Sequence, residues 1–412
     1  MPSWITQPKK LGQWPTPEWL IEAALDQVQL PETGAVMDPA CGDGRWLEAV
    51  RRRNPRLRLI GWDIAPEAIV AARQRLGIQA DLQVRDALAG EPGRLADLVV
   101  GNPPYVRPQH LAPEQRARAW SGRFRTATDK VDLYAPFVER MLELGGGRLA
   151  LVLADTWLSL HSYEAFRDLL QPHLGLVAIV PKEAFAATVG TLVLVTGGAP
   201  RRATLTRDGL NDLAPLHRID GVFPLGEAPL LEGQGILGER WRLRMGVVCG
   251  SYSEWVIRQP EAGAEPTCRG KDVGRFSISA GREWLRWQPR EMLNRRPYVA
   301  PKTRALYDVA HKLVLAGASG RQLRAAVDSR RLFPLDSCYL SEGQGDVWAL
   351  CGLLNSAPVN AWYGARFPAP RVKAVELHRL PWPPGPLARL AEAARESDQA
   401  GCDAAAAQAY GL

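Results

Sequence analysis

The first half of the chain alternates short apolar runs with stretches whose apolar residues recur at helical spacing. Runs at 35–37, 57–62, 82–84, 98–100, 149–153, 176–180 and 191–195 read as strands. Between them the periodicity predicts helices over 17–28, 45–53, 66–76, 133–144 and 162–170. End signals agree. Thr16-Pro17 offers a cap and a first helical proline, and Gly145-Gly146-Gly147 closes the fourth helix. Such alternation predicts an α/β fold with a doubly wound, mostly parallel sheet of the Rossmann-like kind. Past GGAPRR, at 197–202, Gly, Pro, Arg and Trp rise and the segments become short. We expect a first domain over 1–200, a second, irregular α+β domain over 205–385, and an Ala-rich tail over 386–412 with a helix near 403–410.

Composition narrows the class. A chain of 412 residues that is 46% hydrophobic can bury two cores. Lys+Arg outnumber Asp+Glu by 51 to 44, a net charge of +7, which favours an anionic partner. Arginine dominates that excess and suits phosphate and base-edge contacts. Fourteen tryptophans leave room for stacking surfaces beside the core. Cys41, Cys249, Cys268, Cys338, Cys351 and Cys402 form no CxxC pair and histidines are few. Reduced core cysteines are expected, and no metal site. With no apolar run long enough to span a bilayer, a cytoplasmic protein is expected.

The chemistry gathers at strand ends. The run at 98–100 leads into Gly101-Asn102-Pro103-Pro104-Tyr105. Two prolines stop the strand, and the residue before a proline is driven to extended geometry. The Asn102 side-chain oxygen and the Pro103 carbonyl are thus held stiffly at the carboxyl end of a strand, where open α/β sheets bind ligands. Two acceptors followed by an aromatic ring suit a planar group bearing an NH2. Asp38, Asp63 and Asp86 close the three preceding strands, and Gly42 and Gly44 open the first turn. Each aspartate alone reads as a cap or solvated turn. Together they describe a pocket for a nucleoside with free ribose hydroxyls and a cationic group.

These motifs, with GQWPTPEWL, VMDPACGDG, GWDIAP, VRDAL, DLYAPFVERML and LADTWL, resemble the gamma-class, TaqI-type N6-adenine DNA methyltransferases over nearly the whole chain. The resemblance implies S-adenosylmethionine as cofactor, with Thr16, Asp38, Ala40 and the Gly42 turn near its methionine end. It implies Asp63 and Ile64 near the ribose, and Asp86, Ala87 and Phe137 near the adenine. Asp38 and Asp63 replace a frequent glutamate, and Ala87 a frequent aromatic. Asn102, Pro103, Pro104 and Tyr105 would hold a base extruded from double-stranded DNA, with Phe185 of KEAFAATVG as a second stacking ring.

Candidates for DNA contact in the second domain are Arg269, Lys271, Lys302, Arg304, Arg366, Arg371 and Lys373, expected to line a cleft facing the catalytic half. No acidic–acidic–lysine constellation for a fused nuclease is evident. Modification without cleavage is therefore expected, as one half of a restriction–modification pair with a separate cognate endonuclease, and a monomer is expected because one chain holds both catalysis and recognition. Protein-glutamine and some ribosomal-RNA methyltransferases carry similar NPPY loops. An RNA base or a glutamine amide thus remains an alternative substrate, and a silent DNA-binding module a third reading.

Overall fold

The apolar runs form strands because their side chains are buried on both faces, as parallel sheets covered by helices require. In the computed structural model the described residues are 15–91, 93–128, 131–181, 190–219, 221–224, 229–249, 254–279, 281–295, 303–318, 322–367 and 371–412. The chain divides into two units, Met1–Phe223 and Pro224–Leu412.

In the first unit the strands are β1 (Ala35–Asp38), β2 (Arg58–Asp63), β3 (Asp81–Val84), β4 (Leu98–Gly101) and β5 (Leu149–Ala154). They continue as β6 (Leu174–Val180), β7 (Thr191–Thr196), β8 (Arg201–Thr206) and β9 (Gly209–Pro215). They form one sheet in the order β3-β2-β1-β4-β5-β7-β6-β8-β9. β1 to β5 run parallel, while β7 lies antiparallel between β5 and β6. The strand order reverses between β1 and β4, which sets a crevice at their carboxyl ends. β1, β4 and β5 are buried throughout. The helices are α1 (Glu18–Leu25), α2 (Arg45–Arg53), α3 (Pro66–Leu76), α4 (Pro113–Ala119), α5 (Tyr134–Gly145) and α6 (Glu164–Leu170). Trp46, Leu47 and Val50 of α2 and Ile69, Ala72 and Leu76 of α3 join one core with β1, β4 and β5 residues. β8 and β9 extend this sheet beyond 197–202, so the first unit ends later than the change in composition.

The second unit is irregular. Its strands are β10 (Trp241–Met245), β11 (Val256–Ile257), β12 (Ala264–Cys268), β13 (Trp284–Arg286), β14 (Lys312–Ala316), β15 (Ala325–Asp328), β16 (Phe333–Pro334) and β17 (Cys338–Gly343). They make two sheets, β10-β17-β14-β15 and β11-β13-β12-β16. Tyr307 stacks on Phe333 at 4.5 Å in one small core. Across the β14–β15 pair, Lys312 Nζ bonds Asp328 Oδ2 at 2.5 Å and the Tyr307 carbonyl at 2.9 Å, both side chains withdrawn from water. Helices α7 (Val347–Asn355), α8 (Ala357–Arg366), α9 (Ala388–Arg395) and α10 (Gln399–Tyr410) follow. The tail helix starts earlier than 403 because Asp398 caps it, accepting from Gly401 N–H at 3.0 Å.

All six cysteines are buried and free. Trp46, Trp62, Trp157, Trp241, Trp255 and Trp362 are core residues rather than exposed stacking surfaces. No helix among the described residues is long and apolar enough to cross a membrane.

Candidate active site

β1 ends at Asp38, whose carboxylate is 1% exposed. Its Oδ1 accepts from the Ala40 amide at 3.0 Å. Burial, reinforced by the charge of Asp63, pushes its carboxyl up to about 8. Gly101, which ends β4 next door, has φ 143° and faces that carboxylate. Gly44 takes a left-handed conformation at the start of α2, φ 82°, against Leu76 of α3. The end of the turn between Asp38 and α2 is thereby packed against α3.

Asp63 ends β2. Its Oδ2 accepts from Gly42 N–H at 3.0 Å and its Oδ1 from Ala65 N–H at 2.9 Å. These bonds orient the carboxylate and leave each oxygen a second lone pair. Burial raises its pKa. Asp86 follows β3. Its Oδ1 accepts from Leu88 N–H at 3.0 Å, and its Oδ2 pairs with Arg118 of α4 at 2.7 Å. Sequence reasoning missed Arg118. The polar segment PEQRARA carries no apolar stripe, and nothing local marks a partner so far along the chain.

One cavity collects these positions. Thr16, Asp38, Ala40, Gly42, Asp63, Ile64, Asp86, Ala87 and Phe137 all line it, and so do Asn102 and Pro104. Leu111 and Gln115, before and on α4, line it too and were not anticipated. Its wall combines buried carboxylates with the apolar surfaces of Ala87, Leu133 and Phe137. That donor set fits a cationic nucleoside. The carboxylates balance the positive charge, Asp63 has acceptor capacity for hydroxyls, and the apolar wall suits a base.

At the end of β4, Pro103 is buried and Asn102 Oδ1 is shielded from solvent. Tyr105 donates its hydroxyl to the Val152 carbonyl of β5 at 2.9 Å, while the residue as a whole stays partly exposed. Val106 and Leu133 close the excursion between them through a 2.8 Å backbone bond. Phe185 and Lys302 lie outside the described residues.

The basic residues of the second unit separate sharply. Arg366 is 1% exposed, stacks over Trp362 at 4.8 Å and donates to the Pro229 and Trp362 carbonyls, so it is a structural residue and no surface contact. Arg269 is bonded to Glu283 at 2.5 Å, and Arg304 to Glu265 and Asp308. Lys373 lies 3.6 Å from the buried Glu376. Lys271 and Arg371 are exposed.

Comparison with known proteins agrees with this architecture. Residues 95–180 match the model of the Eco57I restriction-modification methylase family. Residues 36–126 match a methyltransferase domain, and residues 265–382 the TaqI-like C-terminal specificity domain. The type II methyltransferase M.TthHB8I of Thermus thermophilus is 27% identical over 78% of this chain and 78% of its own length. A release factor glutamine methyltransferase of Koribacter versatilis is 36% identical, but over 25% of this chain and 38% of its own. The cryo-EM structure of a DrdV–DNA complex superposes with a TM-score of 0.58 at 12% identity. That likeness covers 94% of this chain, which spans 57% of the solved chain, and it speaks to fold alone. Domain matches on both units and a type II relative aligned over most of the chain show that the protein resembles the TaqI-like restriction–modification methyltransferases, with S-adenosylmethionine as methyl donor.

Proposed function

We propose that the protein is a site-specific DNA adenine-N6 methyltransferase that acts on an adenine extruded from duplex DNA, as the modification half of a restriction–modification pair. One observation carries this reading. Asn102 and Pro104 of the NPPY loop line the same cavity as the buried acids Asp38 and Asp63. An amine acceptor and a site for a cationic nucleoside are therefore neighbours.

When bound, S-adenosylmethionine supplies a methyl group on a sulfonium that is already an activated leaving group. The work left to this chain is positioning. Asp38 offers a carboxylate to the cationic end, Asp63 accepts from ribose hydroxyls, and Phe137 with Ala87 flanks the adenine. Asn102 Oδ1 and the Pro103 carbonyl accept the two hydrogens of the target NH2, which turns the nitrogen lone pair toward the cavity. Each such bond contributes about 0.5–1.5 kcal/mol net. Alignment for in-line attack contributes more, roughly 7–11 kcal/mol in favourable cases. Asn102 thus acts as an aligner and has no need to be a base. Extrusion of the adenine costs a few kcal/mol, offset by stacking on Tyr105 worth about 1–3 kcal/mol.

We assign methyl transfer to the first unit and target recognition to the second. The match of residues 265–382 to a specificity domain supports the second assignment. The glutamine methyltransferase similarity stops at a quarter of the chain, which favours DNA over a glutamine amide. Transfer of tritium from methyl-labelled S-adenosylmethionine, compared across duplex DNA, structured RNA and glutamine peptides, tests the reading. Label on duplex DNA is expected, and label confined to RNA or peptide would refute it.

A further inference from the structure

Behind the NPPY loop the structure holds a stack of aromatic rings that the cavity itself does not use. The Tyr105 hydroxyl is anchored on Val152. That bond fixes the long axis of the side chain only, because the ring can turn about the axis through Cγ, Cζ and the oxygen without moving the hydroxyl. Something else must set the ring plane. Tyr134, fully buried at the start of α5, lies with its ring centroid 5.7 Å from that of Tyr105 at an interplanar angle of 56°. Tyr134 is itself held. Its hydroxyl is 2.9 Å from Thr156 Oγ1, just past β5, and Tyr163 stacks on it at 5.3 Å and 15°. The Tyr163 hydroxyl accepts from the Asp132 amide at 3.0 Å. Phe166 meets both rings edge-on, at 5.7 Å and 6.2 Å. Burial raises the pKa of Tyr105, Tyr134 and Tyr163, so all three remain neutral hydrogen-bonding groups.

We propose that Tyr134 and Tyr163 are positioning residues that lock the plane of the Tyr105 ring, so that it is presented to the extruded base as a ready-made stacking platform. The proposal rests on the reading of the site as one that takes an extruded base. It goes beyond that reading by assigning a role to two buried residues that touch neither base nor methyl donor. A platform set before binding removes the need to order a ring during extrusion, and stacking of the base needs the ring face turned toward it. The hydroxyls explain why tyrosine serves here. They tie the stack to the loop after β5 and to the residues leading into α5, the two segments that flank the NPPY loop.

The test uses the full-length protein and its own methylation site, located first by sequencing duplex DNA modified by the native protein. Tyr134→Leu removes the buttressing ring, and Tyr134→Phe keeps it. Three quantities are read: affinity for S-adenosylhomocysteine, single-turnover methylation rate, and fluorescence of 2-aminopurine placed at the target adenine. For Tyr134→Leu we expect unchanged S-adenosylhomocysteine binding. We also expect a loss of about 5- to 150-fold in rate, the range set by one stacking contact, and a smaller 2-aminopurine signal. Tyr134→Phe should recover most of both. A mismatch opposite the target adenine, which lowers the cost of extrusion, should rescue Tyr134→Leu more than the native protein. If Tyr134→Leu does not fold, Tyr163→Phe is read in the same way and should show the same pattern with smaller amplitude. Equal loss of S-adenosylhomocysteine binding and rate, or no rescue by the mismatch, would mean these rings only support the fold, and would overturn the proposal. A native protein that methylates no adenine overturns the underlying reading. A native protein that does so, with an undiminished 2-aminopurine signal in Tyr134→Leu, overturns the platform alone.

Discussion

Gly101 and Asp38 meet face to face at the ends of adjacent strands: a Cβ added at Gly101 would lie 2.7 Å from Asp38 Oδ1. The strand that leads into the NPPY loop is thereby packed against the acid that lines the cavity. Gly101 also has φ 143°, a conformation that L side chains rarely adopt. Gly101→Ala should cost about 1–3 kcal/mol of stability through strain alone. It should also weaken S-adenosylhomocysteine binding by displacing Asp38. Thermal melts and calorimetry on the same preparation check both. A variant with native melting and native affinity would show that the close approach is dispensable.

Asp38 predicts a pH signature. Burial raises its carboxyl to about 8, so the folded protein holds a proton that the unfolded chain releases in the ordinary carboxylate range. Between that range and about pH 8 the native state binds more protons, and stability falls as pH rises. Asp38→Asn keeps an oxygen for the Ala40 amide and removes the titration. It should be the more stable protein near and above pH 8, by on the order of a few kcal/mol, and should melt with a flatter pH dependence. Its affinity for the cationic donor should fall. In the native protein, donor binding below about pH 8 should release a proton from Asp38. Calorimetry in two buffers of different ionisation enthalpy measures this release against the Asn variant, in which the ligand's own amine still titrates.

The Arg118–Asp86 pair ties α4, which also brings Gln115 to the cavity, to the turn after β3. Arg118 is 47% exposed, so the pair is worth no more than about 1 kcal/mol. Arg118→Ala should speed release of S-adenosylhomocysteine by up to about fivefold. High salt should speed release from the native protein and leave the variant unchanged. Stopped-flow displacement at two salt concentrations distinguishes this from a purely structural arginine.

In the second unit, Lys312 and Asp328 form a pair with side chains 1% and 0% exposed. Asp328 also accepts from the amides of Arg330 and Leu332. Asp328→Ala should destabilise by about 3–5 kcal/mol, because it strands a buried ammonium. Urea denaturation measures this, and a loss below 1 kcal/mol would show that Lys312 finds water or another partner.

The legible parts of the molecule are those where burial and local chain direction coincide. β1, β4 and β5 are continuous apolar runs in the sequence because both faces of the sheet are covered, and the polar residues that end β1 and β2 or follow β3 and β4 fall at its carboxyl edge. Asp38, Asp63, Asp86 and Asn102 could be picked out for that reason, and the structure brings all four to one cavity. β8 and β9 were hidden because they form an edge hairpin with few buried side chains, and the arginines that open β8 read as a change in composition. α4 was hidden because PEQRARA buries a single small side chain, Ala119, and carries no apolar stripe. Arg366 misled for the opposite reason. A charged residue reads as surface, yet this guanidinium is satisfied by carbonyl oxygens and the Trp362 face. Contacts between distant segments, such as Tyr105 with Tyr134, leave no local trace in the chain.

The most direct measurement is nucleoside mass spectrometry. Native protein and Asn102→Ala would each be incubated with S-adenosylmethionine and unmethylated duplex DNA, and the DNA then digested. The account predicts N6-methyldeoxyadenosine from the native protein and its loss in Asn102→Ala, with S-adenosylhomocysteine binding retained in both. N4-methyldeoxycytidine alone, or no methylated base despite S-adenosylhomocysteine binding, would contradict it.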